Sequence, residues 1–232
     1  MARFLRLRGQ TDYREVHALQ EELVGLRARD AIGDVVLLLE HAEVITLGRA
    51  RHAQASVLDP GDVPVVPIER GGDATWHGPG QLVAYPIVKL EGRRADLHLH
   101  LHSLEDAVIE LLRGMGLSPA RDERNTGVWL PRAEGLPQKV CSIGIACRRW
   151  VTWHGLALNL TVDLARFEAI QPCGFDASVM TRVADHLGWA PSVQATAAPL
   201  ARCLAEALEV PLEGSMTALH PGDVVAELTA PV

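Results

Sequence analysis

RGGDATWHGPGQLVAYPIVKL, residues 70–90, carries a glycine-crowded polar run straight into an apolar one. Five of its first twelve residues are glycine or proline, so Gly71 to Gly80 read as a loop whose backbone approaches something closely. Leu82–Leu90 then reads as a strand. Upstream, DVVLLLE (34–40) is a continuous apolar run, consistent with a buried strand. EVITLG (43–48), Val65–Ile68 and residues 3–8 add further short strands. Between the first two strands, Tyr13, Val16, Leu19, Leu23 and Leu26 recur at helical spacing behind a Thr11 or Asp12 cap. Downstream, Asp96 opens a second helix to about Met115, with Leu97, Leu101, Leu104, Val108, Leu111 and Leu112 on one face. Gly127–Leu130, Val140–Ala146 and Val151–Val162 are rich in β-branched or aromatic residues and read as strands. Short helices near 163–169 and 178–187 follow, then a last helix from Ser192 or Gln194 to Leu208, and a tail with at most one short element. Strands and helices mix without a strict βαβ period. The expectation is a mixed α/β (α+β) sheet packed with helices, in one domain over 1–232 with 211–232 as a small C-terminal extension.

The chain has 232 residues and a formal net charge of -7, which argues against general nucleic-acid or membrane-surface binding. Arg121, Arg124, Arg148 and Arg149 are the residues from which a local basic patch is expected. No run reaches the length of a membrane span, and MARFLRLRGQ lacks the apolar stretch of a signal peptide. Cys141, Cys147, Cys173 and Cys203 show no CxxC and no disulfide spacing, which fits free thiols in a reducing cytoplasm.

Four constellations bear on chemistry. In RGGDATWHGPGQ, Arg70 brings a fixed fork of donors, and His77 and Gln81 add polar handles. The run matches neither a Walker A loop nor a dinucleotide fingerprint. Cys173, between Pro172 and Gly174, stands where neither helix nor strand continues, so its thiol is a candidate nucleophile. An isolated free cysteine is otherwise most often a small core residue. Lys139 heads an apolar strand, where a solvated cap is the ordinary reading; beside a thiol it favours the thiolate and exchanges protons with an incoming amine. HGLALN (154–159) sets Gly155 and Ala157 on one face of a strand, leaving room for a slim ligand, with His154 and Asn159 as further candidates. His98, His100 and His102 invite a metal reading, but on a helix His100 points away from the other two. No metal or cofactor is expected.

Taken together, LGR (47–49), RGGDATWHGPGQL (70–82), TGVW (126–129), KVCSIG (139–144), HGLALN (154–159) and PCG (172–174) resemble the lipoyl(octanoyl) transferase family, in order and over about residues 34–175. The resemblance implies the biotin/lipoate protein ligase-like fold and transfer of an octanoyl group from acyl carrier protein to a lysine of a lipoyl domain. The acceptors it implies are the E2 subunits of 2-oxoacid dehydrogenases and the glycine cleavage H protein, with no nucleic acid or membrane involved. It implies an acyl-thioester on Cys173 with Lys139 favouring its thiolate. Substrate contacts would fall on Arg70, Gly71, Gly72, Asp73, Ala74, Thr75, Trp76 and His77, on Ser142, Ile143 and Gly144, and on Gly155, Leu156 and Ala157. The insert LPRAEGLPQ (130–138), the His-rich start of the second helix and the residues after 210 depart from the family's pattern. An ATP-dependent ligase of the same fold, which needs no cysteine nucleophile, is the nearest rival.

Overall fold

The structure, a computed structural model, describes residues 2–171, 174–212 and 216–230. Among the described residues, ten strands form two sheets. Strands β1 (Ala2–Thr11), β2 (Asp34–His41), β6 (Gln81–Ile87), β7 (Gly127–Leu130), β8 (Gln138–Arg148), β9 (Val151–Asn159) and β10 (Thr217–Leu219) make a seven-stranded sheet in the order β10-β1-β2-β6-β9-β8-β7. β1 runs parallel to β10 and β2; the pairs from β2 through to β7 are antiparallel. Strands β3 (Val44–Leu47), β4 (Val65–Pro67) and β5 (Ala74–His77) form a small sheet ordered β4-β3-β5.

The apolar run of β2 is buried along both of its faces, as its unbroken hydrophobicity requires. Val36 and Leu38 face a layer made by α2 (Leu97–Gly114) and α4 (Val193–Ala207), with the short α3 (Val183–Leu187) between them in sequence, packing with Leu104, Val108, Leu112, Leu200 and Leu204. Val35, Leu37 and Leu39 face α1 (Tyr13–Ala28), meeting Val16, Leu19 and Leu23. The large sheet therefore lies between helices on both sides. The caps behave as read: Asp12 accepts from Glu15 N at the head of α1, and Asp96 from His98 N and Leu99 N at the head of α2. A third core under the small sheet holds Ile45, Trp76, Phe167 and Ile170.

Three expectations need correction. The glycine run 71–80 is not all loop: Ala74–His77 pair with Val44–Leu47 as β5, because Thr75 and Trp76 carry strand propensity that the flanking glycines mask. The strand expected over Val151–Val162 ends at Asn159, where Gly80 O takes the amides of Leu160 and Thr161 instead. The tail holds more than one element: β10, a 3-10 turn at Pro221–Asp223 and α5 (Val224–Thr229).

A proline sits inside the large sheet at no cost to one of its ladders. Pro86 pairs with Val36 of β2, but the β6–β9 ladder stops at Ala84–Leu156 and resumes only as a bridge at Lys89–Val151. Opposite that gap, His154 takes φ 56 and sends its backbone N–H to Gln20 Oε1 of α1, 2.8 Å away. The β8–β9 hairpin closes through Arg149 and Trp150, whose φ of 53 and 62 are those of a two-residue primed turn. Among the described residues no helix is long and apolar enough to cross a membrane.

Candidate active site

A cavity of about 230 Å³ opens where the 70–73 loop crosses the face of β8 and β9. The loop is pinned on both sides. Gly71 N donates to Ile145 O at 2.9 Å, while Arg49 N and Ala50 N donate to Arg70 O and Gly72 O at 3.0 Å. One glycine just past β3 and one on β8 make the passage. A Cβ at Gly48 would lie 2.3 Å from Gly72 O, and one at Gly144 would lie 3.0 Å from Gly71 O. Gly71 N–H is thus committed to Ile145 and does not point into the cavity as a donor.

Arg70 is buried, with Nη2 donating to Thr46 O and Oγ1, both at 3.0 Å, and Nη1 to Gly71 O at 3.1 Å. From Thr46 a relay of polar groups runs behind the cavity and reaches it at His77. Gln81 donates to Trp76 O at 3.3 Å and to Asn159 Oδ1 at 3.0 Å, so its Oε1 accepts from His77 Nδ1 at 2.7 Å. That places the His77 proton on Nδ1 and turns its Nε2 lone pair toward the Thr46 hydroxyl at 3.4 Å. Asn159 continues the relay to Thr181 O at 3.0 Å. Burial pushes His77 down to about 3, with the neighbouring His41 and Arg70 acting in the same direction, so the ring is neutral at physiological pH.

Lys139 sits at the opposite end of the cavity and is 4% exposed. Its ammonium donates to Asn125 Oδ1 and stands 5.4 Å over the Trp129 ring. Gly127 gives it room: with φ 135, an added Cβ would fall 2.4 Å from Cys141 O and 2.6 Å from Lys139 Cε. Gly127 is itself held by Glu105, whose Oε1 accepts its N–H at 2.9 Å while Oε2 accepts from Arg121 Nε at 2.7 Å.

Pro172 and Cys173 lie outside the described residues. On one side of them, Gln171 N donates to Ser56 O at 2.7 Å. On the other, the Phe175 ring meets Trp129 edge-on at 6.3 Å, and Arg124 caps both rings. The three described cysteines do not present an activated thiol. Burial pushes Cys141 up to about 12 and raises Cys147 and Cys203 as well.

Of the residues singled out in the sequence, Arg70, Gly71, Gly72, Asp73, Ala74, Thr75, His77, Lys139, Ser142, Ile143, Gly144, His154, Gly155, Leu156 and Ala157 all line this one cavity. Trp76 does not. Alternation along β5 turns it to the other face, where it packs edge-on against Phe167. Asn159 acts one layer back, through Gln81. Gly155 lines the cavity, but its missing Cβ serves the backbone as well, since a Cβ there would lie 2.2 Å from Ala84 O. Tyr13, Tyr85, Leu101, Asn125, Thr126 and Ile145 complete the wall and were not anticipated. Tyr13 reads as a core position of an amphipathic helix, and only the fold turns it to the cavity. Burial raises both tyrosines above their ordinary range, so both remain protonated.

The expected basic patch is largely neutralised. Arg121 pairs with Glu105 and Asp106, Arg124 with Asp122, and Arg148 lies 3.6 Å from Glu21. His98, His100 and His102 diverge as the helix predicts: His100 is buried, while His102 is exposed and bonds Glu105 at 3.0 Å.

Residues 12–205 match the family model described as the lipoyl protein ligase A/B catalytic domain. A protein of Geobacter sulfurreducens named octanoyltransferase is 45% identical over 201 residues, covering 85% of this chain and 83% of that protein. The fold is that of lipoate-protein ligase A solved with ATP (TM-score 0.73, 17% identity, 97% of this chain and 92% of the other). It is equally that of a bi-partite lipoate protein ligase of Thermoplasma acidophilum, studied together with its E2 lipoyl domain (TM-score 0.71, 17% identity, 98% and 91%).

Proposed function

This chain is an acyltransferase belonging to the family of lipoyl protein ligase A/B catalytic domains, and from that premise we propose that it moves an octanoyl group from acyl carrier protein to a lysine of a lipoyl domain, through a thioester on Cys173. The acceptors are the lipoyl domains of 2-oxoacid dehydrogenase E2 subunits and the glycine cleavage H protein, in the cytoplasm, and the chain works as one catalytic unit without a cofactor. The observation that carries the reading is a buried lysine ammonium at one end of a narrow cavity walled by Leu101, Ile143, Ile145, Leu156 and Ala157.

The Lys139 ammonium already holds the Cys173 proton as the thiolate attacks the donor thioester. It then returns that proton to the departing carrier thiolate. The exchange of one thioester for another is nearly balanced in energy. In the second half the acceptor amine attacks the acyl-Cys173 carbonyl and an amide forms. The Cys173 sulfur leaves, and the amine's proton passes through Lys139 to it. Amide formation makes the cycle run forward. Supporting the pairing of Cys173 with Lys139, Phe175 touches the same Trp129 ring that carries the lysine ammonium. The raised thiols of Cys141, Cys147 and Cys203 favour Cys173 as the nucleophile.

The test is transfer in a purified system of octanoyl carrier protein, lipoyl domain and this chain with ATP omitted. The proposal expects the acceptor lysine to be acylated at an undiminished rate. A strict requirement for ATP, with ATP–pyrophosphate exchange on free octanoate, would instead establish the ligase chemistry.

A further inference from the structure

Behind the cavity wall lies a cluster that the transfer chemistry does not use. His17 of α1, Glu69 just before the glycine loop and His154 of β9 bring one ligand atom each to within 4.8 Å of one another. His17 Nε2 stands 3.0 Å and His154 Nε2 4.0 Å from Glu69 Oε2. Among the described residues no other group of three His, Cys, Asp or Glu side chains is so gathered. Ligand atoms around a tetrahedral zinc-class ion stand about 3.4 Å apart, given bonds of roughly 2.0–2.2 Å. The observed spacings bracket that value, so small side-chain rotations complete a three-ligand face.

His154 supplies a second and independent observation. Its side chain is 2% exposed, yet neither ring nitrogen has a hydrogen-bond partner. A buried imidazole with both nitrogens idle is uncommon, since each unsatisfied group forfeits its hydration. Its backbone is also held at φ 56 with the N–H drawn to Gln20, a conformation that side chains rarely adopt without a compensating role. Trp153 stacks on the ring at 4.5 Å and fixes its plane. Burial keeps the imidazole neutral, which is the form that ligates a metal. On the far side of His17, Glu21 lies 4.0 Å from Nδ1, where an outer carboxylate orients a ligating imidazole. Arg70 opposes a cation here; Glu69 and Glu21 offset it.

We infer that His17, Glu69 and His154 form a site for a divalent transition metal of the zinc class. Two imidazoles and one carboxylate suit zinc, cobalt or nickel and not magnesium or calcium, which take oxygen ligands. Because Glu69 adjoins Arg70, and His154 lines the acyl cavity beside Gly155, a bound ion ties α1, the glycine loop and β9 along one wall.

The test titrates Zn²⁺ or Co²⁺ into chelator-stripped protein and reads stoichiometry by elemental analysis and ligation by X-ray absorption. Expected are one ion per chain and a nitrogen/oxygen shell near 2.0–2.1 Å with no sulfur at about 2.3 Å. Affinity should fall roughly tenfold or more in Glu69→Gln and in His17→Ala. Both positions are partly exposed, and the near-isosteric Glu69→Gln decides the matter should His17→Ala fail to fold. Absence of binding at micromolar metal, a sulfur shell from the thiols, or unchanged affinity in the folded variants would each overturn the site.

Discussion

Replacing Gly127 by alanine adds a single methyl group, and the structure says where it goes. That carbon would lie 2.6 Å from Lys139 Cε and 2.4 Å from Cys141 O. Carbon–carbon contacts settle at about 3.5 Å, so the lysine stem must retreat by roughly 0.9 Å, and a misplacement of about 1 Å in a reacting group costs on the order of 10²-fold in rate. The φ of 135 adds backbone strain of about 1–3 kcal/mol, which for a chain of this length lowers the melting temperature by roughly 2–12 °C. The two effects separate with a control. Gly9 also has a left-handed φ, 67, but no heavy atom within 4 Å of an added Cβ, so Gly9→Ala carries strain without touching the lysine. Single-turnover acyl transfer, measured below each variant's melting range, should fall about 100-fold in Gly127→Ala and stay near wild type in Gly9→Ala. A folded Gly127→Ala enzyme within threefold of wild type would refute the positioning of Lys139.

Shortening the donor chain from octanoyl to hexanoyl removes two methylenes, about 1.6 kcal/mol of burial, and should lower kcat/KM for the donor roughly 15-fold; a flat response down to butanoyl would show that the cavity does not hold the chain. Burial holds His41 and His100 neutral down to about 4, and His77 and His154 down to about 3. In the unfolded chain these groups take up protons from about 6.5. Stability is therefore fully present above that pH and lost progressively as pH falls toward 4, by up to about 1.4 kcal/mol per pH unit for each group. In urea unfolding between pH 7.5 and 4.5, His100→Leu should flatten the acid limb by about one such increment, and an unchanged slope would contradict the assignment. Arg148→Glu with Arg149→Glu, at the tip of the β8–β9 hairpin, should slow association with an acidic carrier protein, more at low salt than at high. Stopped-flow rates independent of both mutation and salt would remove that surface from the docking route.

Much of this molecule is legible in its residues, and the exceptions have physical causes. The unbroken apolar run at 34–40 reads as a buried strand, and it is one, covered on both sides. The helices opened by Asp12 and Asp96 begin where those carboxylates cap them. The glycine loop drew attention for its composition, but its reason is distributed over Gly48 and Gly144, far apart in sequence, which make way for it. β5 was hidden inside that loop because four strand residues between glycines carry too short a pattern to register. Trp76 belonged to a motif yet faces away, since alternation assigns sides that a motif string does not record. Tyr13 and Tyr85 escaped notice for the opposite reason: a buried tyrosine looks like any other core residue until the chain folds a cavity against it. The cluster of His17, Glu69 and His154 was beyond reach, drawn as it is from three segments that share no pattern.

The central claim is that an acyl group rests covalently on Cys173 between donor and acceptor. Intact mass and peptide mapping after mixing this chain with octanoyl carrier protein, lipoyl domain withheld, test it directly. The account predicts a gain of one octanoyl group, released by neutral hydroxylamine and mapped to Cys173, absent in Cys173→Ala, and diminished in Lys139→Ala. An unmodified Cys173 in enzyme that goes on to acylate added lipoyl domain would contradict it.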